Sequence, residues 1–575
     1  MSSGVFVKAG PEALREAGRG KPDHPVSTKD NPVEKWLTER LNLVASAVLA
    51  AGFLARLQVA ARSFLNPDEA LHYIIVNQPS AFLAYKASLT NAHPPLIYLL
   101  LYFWKILGTS ELMLRFPSVL AGTAVAWVAY KWIGAIFGKV AGVIGLILVA
   151  FSPAVIALSA EVRSYALLLF CETAALYFVE VAFREKSARN MWYFSIFLYL
   201  AILSHYSALF FALAVGIYAL VRIMESKLPR KVIVSWASGQ AGALAIYAFL
   251  YVTHVSKLKN SLTTWAMPFE HAYFHADQGD LLTFTRERTL EIFSFIFENR
   301  YLASALLLLW AATVAFLLVR ELVSKREDVC PGHSGLLLLL PFLAVLGAAI
   351  AGIYPYFGGR HTMFLAPFVI AALSFALAFI SRQKLWAAMA IAALLSAASN
   401  TSGKTFEPFI TKENQSRELM QSAMNHMRET VAPREVILTD YESSLLLAYY
   451  FCGPKEIFPP YISDSYSSSI KCNGQSIASF LTWSMQPDFF TANFSKVVKS
   501  QGIKPGEKVW VFQSGWGVTL GRNLPLSSAK FRCLAPENFG ANISLIPFEV
   551  GPDLAPVPIG TGCPGSALTH SPSSS

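Results

Sequence analysis

The sequence predicts an all-α, polytopic membrane protein with a C-terminal soluble α/β domain outside the cytoplasm. Three observations predict it. The 575 residues are 54% hydrophobic and only 15% charged, where an ordinary soluble domain is about a quarter charged. Continuous apolar runs of membrane-spanning length recur up to Ser399, and roughly 20 such residues cross roughly 30 Å of hydrocarbon. After Thr401 the composition turns polar and strand-like patterns begin. The apolar runs do not alternate, so the spans are helices rather than barrel strands.

Residues 1–40 carry Pro, Gly and charge but no signal-peptide pattern, and are expected to be a disordered cytoplasmic tail. About eleven spans follow: Leu41–Ala61, Arg115–Phe137, Val140–Leu158, Tyr165–Phe183, Met191–Ser204, Ala208–Met224, Val232–Val255, Tyr301–Leu322, Gly335–Tyr354, Met363–Ile380 and Leu385–Ser399. The net charge of +10 does not point to nucleic acid, because the cations sit in short alternate loops. Lys139, Arg184/Lys186/Arg189, Lys227/Arg230/Lys231, Arg320/Lys325/Arg326 and Arg382/Lys384 mark the cytoplasmic side. That orientation puts the loop 62–114 and everything after Thr401 outside, in a multi-pass membrane protein. Within the first loop, "HPPLIYLLLYFWKILG" is too short to span. Pro94 and Pro95 suit a helix start, and Tyr98, Tyr102 and Trp104 suit an interface, so a surface helix is expected.

Residues 401–565 read as an external α/β domain. Lys412–Glu429 has helical amphipathicity, "REVILTD" and "GEKVWVFQSG" read as short buried strands, and residues 566–575 as a disordered tail. Cys452, Cys472, Cys533 and Cys563 permit disulfides without revealing their pairing, and no CxxC metal spacing occurs.

Chemistry is concentrated on the expected external side. "NPDEALHY" places Asp68 and Glu69 just beyond the first span. They read either as first-turn acids that open a helix or as a carboxylate kept near lipid for general-base work. Lys86 and His93 lie in the same loop, Glu161, Arg163 and Tyr165 in the next external turn, and Arg360 and His361 between two late spans. Singly, each suits an interfacial anchor. Together, cations and carboxylates on one face suit a lipid-linked phosphate, since Arg offers a fork of donors to phosphate oxygens. His205 in "LSHYSALF" is expected to be a helix-end histidine satisfied by a neighbouring carbonyl, and Asp440-Tyr441 a simple turn.

"NPDEALHY" followed by "HPPLIYLLLYFWKILGTSELMLRFPSVLAG", with "SHYSALFF" and "GGRHTMFLAPF" later, resembles the GT-C polyprenyl-phosphate-sugar glycosyltransferases of the family 39 type. That superfamily includes protein O-mannosyltransferases and the lipid A aminoarabinose transferase. The resemblance spans roughly Leu41 to Ser399. It implies a GT-C membrane domain over residues 41–400 and inverting transfer of a hexosyl or pentosyl group from a polyprenyl-phosphate donor to a lipid, glycan or protein acceptor. It implies catalytic roles for Asp68, as general base, with Glu69 and Glu161. It places His93 near the donor phosphate, Arg163 among the active-site groups and Arg360 at a late basic position, although His361 stands where many members have an aromatic; Lys86 and Tyr165, on the same face, are expected at the donor phosphate with them. No metal ligand and no cofactor is assigned, with a divalent ion left open, and a bacterial inner membrane, where the family is common, is the expected location. A lipid-linked-sugar flippase or a non-catalytic envelope assembly protein are the rival readings.

Overall fold

The computed structural model describes residues 32–258, 267–323, 333–400, 417–453, 467–480, 487–515, 527–528, 531–540 and 542–551. It shows the two expected parts, a helical membrane bundle and a C-terminal α/β domain. Every expected span falls on helix. Among the described residues, seven helices are long and apolar enough to cross a membrane, or eight if the bent pair Lys139–Phe151 and Pro153–Ser159 is one span. Ser334–Ile350 and Leu385–Ser399 are shorter apolar helices, and Ala188–Ser204 has 17 residues.

Lys139–Phe151 is the central helix, buried without interruption from Ala141 to Ala150. It returns antiparallel to Glu111–Phe137 through Gly138, whose φ of +91° suits glycine. The two helices approach closely because Gly142 lacks a side chain: a Cβ there would stand 2.9 Å from the Tyr130 carbonyl oxygen and 3.0 Å from Gly134 Cα. The central helix then breaks by 57° at Pro153. Proline has no N–H for the Val149 carbonyl, and the bend also exposes that of Ala150. Arg56, fully buried in the first span, donates to both, at 3.0 and 2.8 Å. A cation within the bundle is therefore explained by the break it caps.

Glu34 accepts from the Leu385 and Trp386 N–H groups, and His333 pairs with Glu225. These contacts gather the N-terminal segment and the turns near Lys227, His333 and Arg382 at one end of the bundle. They also correct one expectation, because Pro32–Glu39 is helical rather than disordered. Its Glu34 caps the helix Leu385–Ser399, so the end of the tail is recruited by packing. Residues 1–31 and 566–575 lie outside the described residues, as does Cys563.

At the opposite end, the loop after the first span folds into helices Pro67–Val76, Ala81–Ser88 and Leu96–Trp104. The last is the expected surface helix. It buries Ile97, Tyr98 and Leu101 and turns Phe103 outward, and the turn Lys105–Leu107 that follows exposes Ile106 and Leu107, the two-faced pattern of an element lying in an interface. The loop before Tyr301 likewise holds a helix, Leu281–Phe297.

The C-terminal domain rests on this end. Its strands are β1 Val436–Thr439, β2 Ser467–Cys472, β3 Gln475–Phe480, β4 Lys508–Ser514, β5 Ser527–Ser528, β6 Phe531–Cys533, β7 Glu537–Asn538 and β8 Ile543–Val550. They form one sheet in the order β2-β3-β1-β4-β8-β6-β5, with β7 beside β8. β3, β1 and β4 are parallel and the other pairings antiparallel. "VILT" and "KVWVFQS" are the two strands expected from sequence, and Arg417–Thr430 the expected helix. One sheet face packs on Pro487–Ser500. The other, with Met420, Met424 and Met427, shares a continuous apolar cluster with Phe64, Tyr73 and Tyr98 of the first loop.

Polar contacts fasten the same joint. The Tyr450 hydroxyl accepts from Leu65 N at 2.7 Å and donates to Glu111 at 2.9 Å. Tyr449 donates to the Thr109 carbonyl, and Arg417 pairs with Glu111. Cys452, beside these tyrosines, is disulfide-bonded to Cys472.

Candidate active site

"NPDEALHY" starts a helix, and its two carboxylates part company. Asn66 is the N-cap: its side chain accepts from Glu69 N at 2.9 Å, while Glu69 reaches back to Asn66 N at 2.8 Å. This is a capping box with Pro at the first helical position. Both Glu69 oxygens also receive Arg115, at 2.8 and 2.7 Å, and one receives Val162 N at 2.8 Å. Arg115 donates further to the carbonyls of Ala60, Ser63 and Phe64. Both side chains are wholly buried. Glu69, expected beside Asp68 in catalysis, is thus filled by structural partners.

Asp68 does not cap. Its carboxylate lies between Arg163, in direct contact, and Arg360, at 3.1 Å. Burial opposes ionisation, but the two guanidinium charges outweigh it and hold the carboxyl below its usual range. Glu161 lies in the same turn as Arg163, bridged by an Arg163 N–H to Glu161 carbonyl bond of 2.9 Å. Its Oε2 is buried without a hydrogen-bond partner. Burial first, then the Glu69 charge, raise it to about 7, against the pull of Arg163 and Arg360.

A wall of rings adjoins the ion pairs. His72 stacks on Tyr98 at 4.9 Å and lies 5.9 Å from His93. His93 is 5.2 Å from His205 and 6.1 Å from Tyr165. Tyr165 is 5.2 Å from His205 and 6.4 Å from His361. The imidazoles of the first loop stay neutral: burial, then Arg163, lowers His72 to about 3, and burial, then the neighbouring imidazoles and Arg163, lowers His93. His72 Nδ1 lies 2.7 Å from the Asp68 carbonyl oxygen. Nδ1 therefore carries the proton, and Nε2 is an acceptor. His72 Nε2, His93 Nδ1, His361 Nε2, the Tyr98 and Tyr165 hydroxyls and Arg163 Nε are all buried without a partner. So many unsatisfied polar atoms at one place indicate a surface shaped for a polar ligand.

Asp68, Glu161, His93, Arg163, Tyr165, Arg360 and His361 are thus gathered as the sequence suggests. Lys86 is not: it is exposed on Ala81–Ser88, with its ammonium 4.7 Å from the Phe82 ring. His205 differs from its expected role, since Nδ1 is met by the Ser207 hydroxyl and N–H at 2.8 and 3.1 Å rather than by a carbonyl. Its ring stands in the middle of the wall. His72 and Tyr98 were in view in the sequence, four residues after Asp68 and three after Pro95, but nothing local marks them as partners. Among the described residues no three His, Cys, Asp or Glu side chains are grouped to hold a metal ion, so no step is assigned to one.

Comparison with known proteins gives the following. No curated protein matches the chain. Among solved structures, it is similar to ArnT from Cupriavidus metallidurans bound to undecaprenyl phosphate, at 14% identity and TM-score 0.48, covering 90% of this chain and 100% of that one. It is also similar to the archaeal oligosaccharyltransferase AglB from Archaeoglobus fulgidus, in complex with an inhibitory peptide and a dolichol-phosphate, at 15% identity and TM-score 0.43, covering 83% and 70%. The S. cerevisiae protein O-mannosyltransferase Pmt1-Pmt2 complex bound to the sugar donor is similar at 17% identity and TM-score 0.30, covering 37% and 33%. Residues 92–253, which include "HPPLIYLLLYFWKILG" and "RFPS", match the family described as dolichyl-phosphate-mannose-protein mannosyltransferase.

Proposed function

We propose that the protein is an integral-membrane glycosyltransferase that moves a sugar from a polyprenyl-phosphate donor to an acceptor by inverting displacement. The observation that carries this reading is Asp68, held between Arg163 and Arg360 where the membrane bundle meets its capping domain. The family match over residues 92–253 supports it.

The donor's isoprenoid lies among the apolar helices and its phosphate meets the arginines. The acceptor oxygen attacks the anomeric carbon from the face opposite the phosphate, and Asp68 takes its proton. The carbon–oxygen bond to phosphate breaks, its electron pair stays on the phosphate oxygen, and polyprenyl phosphate leaves. Arg163 and Arg360 neutralise the charge that grows there.

One tension in the site is resolved by donor binding. A carboxylate held down by two guanidinium groups is a poor base, since a general base works best with a pKa near the operating pH. A phosphate that engages the arginines competes with Asp68 for them and restores its basicity when donor is present. The base is thus quiet in the empty site.

The test is transfer from a panel of polyprenyl-phosphate sugars by membranes holding the wild-type protein or Asp68→Asn. Transfer by the wild type and its loss in the variant are expected. Folded protein that transfers nothing from any donor, yet moves the sugar lipid across the bilayer, would replace this reading with the flippase.

A further inference from the structure

The C-terminal sheet has a switch point. From β1 the chain builds β3 on one side and then crosses to place β4 on the other, all three parallel. In open α/β sheets, ligands bind outside the carboxyl ends of the strands at such a point. Here those ends are Thr439 and Ser514, and they abut the first loop of the membrane domain. Gly515, with φ +114°, follows Ser514, and a Cβ on it would lie 2.9 Å from Pro67 Cγ and 3.3 Å from Glu442 Oε2. Pro67 is the residue before Asp68.

Two further observations point to a ligand at this junction. Thr439 alternates with Ile437, and Ser514 with Phe512 and Trp510, on the sheet face turned to the membrane domain. Their hydroxyls are 0% and 2% exposed by residue and have no hydrogen-bond partner, an expensive state for a polar group that nothing fills. The surrounding backbone is fixed. Asp440 accepts from Ser443 N at 2.9 Å and from Gln513 at 3.1 Å, and Ser443 Oγ accepts from Ser514 N at 2.9 Å. Tyr441 is half-buried, next in sequence to this network. Burial, then the Asp68 charge, push its hydroxyl up to about 12, which places it within electrostatic reach of the proposed base.

We propose, resting on the transfer reading above, that this switch-point crevice is the acceptor subsite and that it takes a neutral, hydroxyl-rich saccharide, with Thr439 and Ser514 reading its hydroxyls and the Tyr441 ring packing on its apolar face. Charge selects this class. Asp440 and Glu442 lie beside Thr439 and Gly515, and carboxylates there disfavour an acceptor that carries phosphate or carboxylate. The junction borders Pro67, the residue before Asp68, so a sugar bound there would bring a hydroxyl to the proposed base.

Saturation-transfer NMR on the full-length protein in detergent tests this without requiring turnover. The probes are methyl mannoside, methyl glucoside, methyl arabinofuranoside and an uncharged Thr-containing peptide. At least one glycoside is expected to bind the wild type, and to bind about tenfold more weakly to Tyr441→Ala and to Thr439→Val, whose isosteric methyl removes only the hydroxyl. Gly515→Ala, whose Cβ would clash with Pro67 and force the two walls apart, should do the same. Melting temperatures identify any variant that fails to fold, and the conclusion rests on those that do. No glycoside signal with the wild type, undiminished binding by folded variants, or a signal from the peptide alone would each overturn the proposal. Loss of sugar transfer in the donor panel, with glycoside binding intact, would instead count against the transfer reading.

Discussion

The molecule holds two arginine–carboxylate sites side by side, built from adjacent residues, and they are opposites. At Glu69–Arg115 both side chains are fully buried, the contact is bidentate, and the remaining donors and acceptors go to the N-cap, Val162 and the carbonyls that end the first span. At Asp68 the carboxylate has two guanidinium partners from distant segments. Around it are polar atoms with no partner at all. A satisfied network specifies a structure, and an unsatisfied one waits for something. The i and i+1 positions on a helix face different ways, which is how one dipeptide serves both purposes.

Breaking each site should give different readouts. The largest effect is expected on transfer from Asp68→Asn, a loss of about a thousandfold or more, within the range for removing a general base, with insertion and melting temperature little changed. A variant that keeps full activity would return Asp68 to a helix-opening role. Arg115→Met should act on folding instead. It strands the buried Glu69 charge at a cost of about 3–5 kcal/mol, seen as loss of folded protein on detergent extraction. An Arg115→Met protein that folds normally but fails only in transfer would erase the distinction between the two sites.

Arg360→Gln should be intermediate. One of two phosphate cations is lost, and transfer falls by about a hundredfold, near the value for one preorganised donor. Donor titration should show its apparent KM rising, because the side chain is more exposed than Arg163 and stands nearer an incoming phosphate.

The smallest effect is expected from Glu161→Gln, as a change in pH dependence. The folded protein holds this carboxyl at about 7, above its ordinary value. The stability it contributes is therefore complete at acid pH and is lost as pH rises through about 7. Melting curves between pH 5 and 8 should show the wild type losing stability across that window and Glu161→Gln losing less. Parallel curves would mean that Glu161 is ionised throughout.

Sequence reading reached the parts of this arrangement that are local or forced by lipid. Apolar length sets the spans, Pro94-Pro95 sets the start of the surface helix, and charge in an apolar chain singles out Asp68, Arg163 and Arg360. It offered Glu69 a helix-opening role but could not choose it over a catalytic one, because Arg115 and Val162, which fill it, lie far along the chain. His72 and His205 join the ring wall through three-dimensional packing that leaves no periodic trace. Lys86 shows the converse: one turn of helix phase is enough to point a cation in a plausible motif to solvent. Arg56 interrupts an apolar run without a local reason, and only the Pro153 break accounts for it.

The hydrogen bond from Leu65 N to the Tyr450 hydroxyl joins residues 385 positions apart. During synthesis the first loop leaves the ribosome long before its clamp exists. The membrane helices can insert in order, but the position of Asp68 is completed only when nearly the whole chain has been made and the last domain has closed on the first loop. The disulfide beside Tyr449 and Tyr450 adds a second condition, since it forms only after the sheet strand carrying Cys472 has folded back. Closure of the last domain on the first loop is in this way the final event in the protein's birth. A chain interrupted before its last domain still has Arg163 and Arg360 for the carboxylate, but lacks the clamp on the loop that carries it.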